Sequence, residues 1–179
     1  MPLRTPKLLD REGLMGYAAR ALTSRALSLN ELRNRLNRRA ARKEDVAEVV
    51  AKLKEAGFLN DRRLADSFAA YRRDSQGTGK TRVVRDLMAR RIAPAVARQA
   101  VDAAYSGVDE IELIEKFLER KYRGKNLAEI LSEDKGLASA FRKLRQAGFS
   151  TGNSIRVLKR YAAEADRLED EPPEDPEAQ

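Results

Sequence analysis

Gly79-Lys80-Thr81, inside the stretch DSQGTGKTRVV (residues 74–84), spells the end of a nucleotide-binding loop. Such a loop is G-x-x-x-x-G-K-[S/T] between a buried strand and a helix, so that backbone amides cradle the phosphates and the lysine reaches them. With Gly79 as the second glycine, the first falls on residue 74, which is Asp. A carboxylate there opposes phosphate, and the preceding SFAAYRRDSQ has helical rather than strand spacing. No later apolar strand ends in a magnesium-binding acid. The stretch reads instead as a helix–helix turn, in which Gly77 and Gly79 allow unusual backbone angles and Thr78 or Thr81 caps a helix opening near Lys80. With Lys80 and Arg82 beside it, that helix start is a place for a phosphate or a carboxylate to dock.

Other chemistry is narrowed by composition. The 179 residues contain no cysteine and no histidine. Disulfides, thiolate chemistry, Cys/His zinc sites and every histidine-based catalytic arrangement are therefore excluded. Glu55, Asp61 and Asp66 surround a helix junction, where capping and ion pairing account for them. No catalytic group, metal or cofactor is expected, and the chain is not read as an enzyme. No apolar run approaches the ~18 residues of a membrane span, and MPLRTPKLLDREG lacks the apolar core of a signal peptide. A soluble, cytoplasmic protein is the expectation.

The remaining chemistry is electrostatic. Formal net charge is +8, yet the last sixteen residues hold eight acids against one arginine, which leaves +15 on the first 163. Such a body is drawn to a polyanion or an acidic protein surface. Arg20, Arg25, Arg33, Arg35, Arg38, Arg39, Arg42 and Lys43 face a single acid, Glu31, over their stretch. Further on, Arg72, Arg73, Lys80, Arg82, Arg85, Arg90, Arg91 and Arg98 outnumber Asp74 and Asp86. The preference for arginine suits forked recognition of carboxylate or phosphate. Ion pairing within helices competes for some of these groups, as for Glu31 with Arg35 at helical spacing.

Helices must position these charges, because no stretch alternates apolar and polar residues over six positions. Ser28 with Glu31 is a capping box opening a helix at Leu29. Glu44 and Asp45 start the next helix, and Gly57 ends it. Asn60 or Asp61 caps the one after, and Pro94 suits a first helical turn. The expected helices are 12–26, 29–39 and 44–56, then 61–74, 80–91 and 94–105, then 109–122, 136–147 and 152–167. Leu36, Leu87 and Leu144 superpose across the three middle helices. Tyr17, Phe68, Tyr71, Phe117, Tyr122, Phe141 and Tyr161 are expected to pack inward. The fold class is all-α, an array of three tandem three-helix repeats that resemble helix-turn-helix units. An N-terminal arm occupies 1–11, the repeats occupy 12–60, 61–108 and 109–167 (with an insert at 124–134), and an acidic, disordered tail occupies 168–179.

The order and spacing of these elements resemble the RecX family, bacterial regulators of the RecA recombinase. RALTSRALSLNELRNRL, LKEAGFLNDRRLADSFAAYRR and GTGKTRVVRDLMARRI carry the resemblance. The family pattern places Ser28 and Glu31-Leu32 at the second helix. Gly57, Leu59, Asp61 and Arg63 follow at the junction, then an arginine at 72 or 73, a Gly-x-Gly loop and a Leu-x-x-x-[Gly/Arg]-[Ile/Val] ending. The match covers residues 15–105 and continues more loosely through FRKLRQAGFSTGNSIRVLKRY. Lys80 stands where the family has proline, so the nucleotide-loop spelling arises by drift.

The resemblance implies an elongated, curved body lying in the groove of the RecA–DNA filament. It implies a non-enzymatic regulator, most often an inhibitor, of filament assembly, ATP hydrolysis and strand exchange, and hence of DNA repair and the SOS response. The partners implied are the RecA filament and DNA phosphates, with the basic residues of the first two repeats as the contacts. Nothing resembles a dimerisation helix, so a monomer is expected. A helix-turn-helix regulator of duplex DNA is the alternative, because three-helix units with a basic middle helix also fit that class.

Overall fold

The computed structural model describes residues 8–162 and Ala165. Ten helices occur among them: α1 (Arg11–Ser24), α2 (Leu29–Asn37), α3 (Lys43–Glu55), α4 (Asp61–Asp74), α5 (Lys80–Ala89), α6 (Pro94–Ala104), α7 (Glu110–Lys121), α8 (Leu127–Ser132), α9 (Asp134–Gln146) and α10 (Thr151–Leu158). Among the described residues, β-type pairing is limited to an isolated parallel bridge between Leu9 and Ala40.

Local chemistry sets the helix boundaries. Asp10 accepts a hydrogen bond from the Gly13 amide at 2.9 Å and opens α1. Ser28 and Glu31 form the expected capping box of α2. Pro94 stands at the first position of α6, and α4 spans the expected 61–74 to the residue. The insert at 124–134 contains α8, which Asn126 opens by accepting the Glu129 amide at 3.3 Å. Its Leu131 is fully buried. Helix α10 ends at Leu158, short of the expected 167. The expected acidic tail, 168–179, lies outside the described residues.

Packing divides the chain into two compact units. The first holds α1–α3, α4 as far as Ala70, and residues 84–104; the second holds 71–83 and the described residues from Tyr105 on. Leu14, Leu32, Leu36 and Val49 centre the core of the first unit. Ile114, Leu118, Leu144 and Leu158 centre that of the second. Leu36, Leu87 and Leu144 are all fully buried.

Two aromatic expectations fail. Tyr71 is 56% exposed and Tyr161 38% exposed. Ala65 and Ala69 form the buried stripe of α4, and Tyr71 falls on another side of that helix. Tyr161 follows the end of α10, where no helical register holds it inward.

Candidate polyanion-binding surface

In the first unit the residues that open α2 converge with the chain after α5. Ser28 Oγ accepts from the Glu31 amide at 3.1 Å and donates to the Arg90 carbonyl at 2.6 Å. Glu31 Oε2 accepts from the Ser28 amide at 2.9 Å and from Arg90 Nη2 at 3.1 Å. Asp61 Oδ1 takes the Leu29 amide at 2.8 Å, while Asn60 caps α4 itself by accepting the Arg63 amide at 2.9 Å. Asn30 Nδ2 donates to the Arg91 carbonyl at 3.0 Å. The orphan amides of α2 are therefore satisfied partly from its own capping box and partly by a residue distant in sequence. Burial pushes the Glu31 carboxyl up, but hydrogen bonds from Arg90 and the Ser28 amide, with the charges of Arg90 and Arg25, hold it below its ordinary value.

This junction sorts the arginines of the first unit. Arg90 and Arg25 both pair with Glu31, at 3.1 and 3.4 Å. The tertiary pairing replaces the expected Glu31–Arg35 contact, because the capping box turns the carboxylate back toward Ser28. Arg42 grips buried Asp45 through two hydrogen bonds of 2.9 and 3.2 Å. Arg39 lies over the Tyr17 ring, 4.6 Å from its centroid. Arg20, Arg33, Arg38, Arg39, Lys43, Arg85 and Arg91 are exposed, whereas Arg35 is half-buried. Arg38 also donates to the Asn34 carbonyl at 3.3 Å. The first unit thus presents cations on and around α2 and α5 that, among the described residues, internal ion pairs do not absorb as they do Arg42 and Arg90.

The loop that resembles a nucleotide site belongs to the second unit and does different work. It follows helix α4 rather than a strand, and its Asp74 is the last residue of that helix. Gly77 takes a left-handed φ of 53°. Gly79 is small for another reason, since a Cβ there would lie 2.3 Å from the backbone of Gly148. The Gly79 amide donates to the Ala147 carbonyl at 2.9 Å and the Thr81 amide to the Gly148 carbonyl at 3.2 Å. The start of α5 therefore abuts the end of α9, and the positive end of one helix dipole meets the negative end of another. The docking place expected at these amides is filled by the chain's own carbonyls. Tyr105 closes the loop by donating its hydroxyl to the Thr78 carbonyl, and burial pushes its pKa up to about 12 against the charges of Arg72 and Arg73.

The side chains around the loop point to a cleft within the same unit. Arg72, Thr78, Arg82, Phe117, Lys121, Lys143, Gln146 and Ala147 line about 240 Å³. Arg72 and Arg82 come from the expected set, and Arg73 instead pairs with Asp74 at 2.6 Å. Lys80 is exposed, and its charge helps hold the Glu110 carboxyl low. Lys121 and Lys143 were not singled out by sequence. Their only sequence signal is a basic residue near the end of α7 and another within α9, which means little until tertiary packing brings them together.

Comparison with known proteins follows the same lines. Residues 60–101 match the model of the second three-helix domain of RecX. A regulatory protein RecX of Deinococcus radiodurans is 35% identical over 102 residues, covering 56% of this chain and 48% of that relative. The aligned region thus spans about half the length of that relative. A regulatory protein RecX of Ectopseudomonas mendocina is 30% identical over 131 residues, covering 72% of this chain and 81% of the relative. The chain belongs to the RecX family.

A RecX crystal structure from Lactobacillus salivarius has the same fold, with a TM-score of 0.65 over 84% of this chain and 96% of that one, at 16% identity. For a RecX-family chain the junction described above acquires a meaning. Ser28, Glu31 and Asp61, which carried the resemblance, are spent on holding α2 in place, as is Arg90. They build the scaffold from which the exposed cations on and just after α2 and α5 project.

Proposed function

We propose that this chain is an inhibitor of RecA that binds in the groove of the RecA–DNA filament and limits its assembly, ATP hydrolysis and strand exchange. Through that action it moderates recombinational repair and the SOS response. Membership of the RecX family is the observation that carries this reading. The exposed arginines on and just after α2 and α5 are its physical support: Arg33, Arg38, Arg39, Arg85 and Arg91 are all solvent-accessible. Arginine forks suit both the carboxylates of a protein surface and the phosphates of DNA.

In this reading the three-helix sets act as successive modules, so that several weak contacts on neighbouring RecA protomers and DNA phosphates act together. The chain works as a monomer in the cytoplasm and needs no cofactor. RecA's ATPase rate on single-stranded DNA, measured with a substoichiometric amount of this protein, tests it. A fall that persists at moderate salt is expected. An unchanged rate with demonstrably folded protein rules the reading out.

A further inference from the structure

We infer that Arg91 is a principal contact of this chain with its protein partner, and that its guanidinium takes a carboxylate on that partner's surface. The inference rests on the reading of the chain as a RecA regulator and gives one residue within it a defined ligand.

A backbone conformation carries it. Arg91 has a left-handed φ of 62°, and among the described residues every other left-handed position is glycine. An L side chain is disfavoured there because its Cβ crowds the carbonyl oxygen that follows. Arg91 stands four residues after Leu87, as Gly148 stands four after Leu144. The two turns are built alike. The Arg91 amide donates to the Met88 carbonyl at 2.8 Å and the Ile92 amide to the Leu87 carbonyl at 3.2 Å. The Gly148 amide donates to the Arg145 carbonyl at 3.0 Å and the Phe149 amide to the Leu144 carbonyl at 3.1 Å. The residue that follows, Ile92 or Phe149, is buried in each. Glycine is therefore the residue that such a turn accepts with least strain.

The fold makes no use of the Arg91 side chain that would offset this strain. Arg91 is exposed, and among the described residues its guanidinium has no hydrogen bond, ion pair or ring contact. The neighbouring Arg90 is the one that serves the fold, through Glu31 and the Ala26 carbonyl. A strained residue with no internal use marks a functional position. Its backbone is also fixed on both sides, because Asn30 Nδ2 donates to the Arg91 carbonyl at 3.0 Å while the Arg91 amide is held by Met88. A guanidinium that leaves a fixed turn loses less freedom on binding.

The surroundings of the turn decide between a carboxylate and a phosphate. Met88 is 42% exposed, and Ala89, Ala93 and Pro94 next to the turn are exposed as well. An arginine among exposed apolar residues, methionine included, has the composition of a protein–protein contact. A phosphate of DNA would use the guanidinium and leave those residues in water. A protein surface covers them and offers a carboxylate, which the arginine fork meets with two parallel hydrogen bonds.

The test compares the full chain with R91G and with K52Q, which removes one charge from an exposed lysine of α3. R91G should raise Tm by about 2–4 °C, because glycine relieves the left-handed strain. The same variant should need about tenfold more protein to halve RecA's ATPase rate on single-stranded DNA, a loss of the size typical of an interface arginine. K52Q should leave the halving concentration unchanged. Without RecA, R91G should bind a fluorescein-labelled oligothymidylate no more weakly than the parent does, as read by anisotropy.

A variant that is more stable yet inhibits less is the expected result, and a merely structural role for Arg91 predicts a less stable one. An R91G protein that inhibits as the parent does, or that melts below it, overturns the inference alone. So does an equal loss of inhibition in K52Q, which assigns the effect to net charge. A matching loss of oligothymidylate binding in R91G overturns it too, and reassigns the guanidinium to phosphate. No inhibition by the parent overturns the RecA reading and this inference with it.

Discussion

Ala56-Gly57-Phe58 ends α3 in the first unit, and Ala147-Gly148-Phe149 ends α9 in the second, with one backbone design. In each, glycine adopts a left-handed φ, 75° at Gly57 and 88° at Gly148. In each, the phenylalanine amide reaches back to a leucine carbonyl, from Phe58 to Leu53 at 2.9 Å and from Phe149 to Leu144 at 3.1 Å. The surroundings differ completely. Phe58 is 65% exposed, and Phe149 is 1% exposed. A Cβ on Gly57 would meet nothing within 4 Å, whereas one on Gly148 would lie 2.3 Å from the Arg82 amide nitrogen. Local sequence dictates how a helix stops; what packs on the stop decides how much depends on it.

Paired substitutions can break this comparison, with urea unfolding as the measurement. Phe149→Ala should cost about 3–5 kcal/mol, as for a fully buried aromatic side chain. Phe58→Ala should stay within about 0.5 kcal/mol, as for a surface site. Similar losses at the two positions would mean that Phe58 packs in solution as Phe149 does.

The glycine pair is the next most sensitive. Gly148→Ala combines a left-handed alanine, about 1–2 kcal/mol, with a clash that forces α5 back, about 1–3 kcal/mol. Gly57→Ala carries only the first of these and should cost about 1–2 kcal/mol. Equal costs would show that backbone conformation alone governs both turns, and that the close approach of α5 to α9 adds nothing.

A smaller difference follows from what comes after each turn. Asn60 caps α4 with its own side chain, whereas the start of α10 is held from α7 by Glu110. Its carboxylate takes the Ser150 amide at 2.9 Å, the Ser150 hydroxyl at 2.5 Å and Asn153 Nδ2 at 2.6 Å. Burial pushes Glu110 up, but these hydrogen bonds and the charge of Lys80 hold its carboxyl below the ordinary value of 4.5. Its stabilising contribution is thus present above pH 4.5 and fades as the pH falls through the lowered folded value. Glu110→Gln should weaken the protein at neutral pH and flatten its loss of stability in acid. A parent-like acid profile in the variant would remove Glu110 from that role.

The sequence made the helices legible because caps and breakers are local. The capping box at Ser28 and Glu31, Pro94 at the head of α6 and Gly57 at the tail of α3 needed no tertiary knowledge. The nucleotide-loop spelling was also correctly set aside on local grounds, from Asp74 and the helical pattern before it. The purpose of Gly79 was not legible, because the backbone it makes room for lies about seventy residues away. The same limit applies to the cations. Charge counts marked Arg42 and Arg90 as readily as Arg33 and Arg85, yet Asp45 and Glu31 claim the first two. Lys121 and Lys143 went unnoticed because only folding places them beside Arg72 and Arg82.

The exposed cations of the first unit carry the proposed function, so reversing them is the most direct test. RecA's ATPase rate on single-stranded DNA should be measured with the parent protein and with R33E/R39E/R85E, after helix content and unfolding midpoint are shown to match. Inhibition by the parent and its loss in the variant is the expected result. Equal inhibition by the two proteins would contradict the assignment of this surface to the filament.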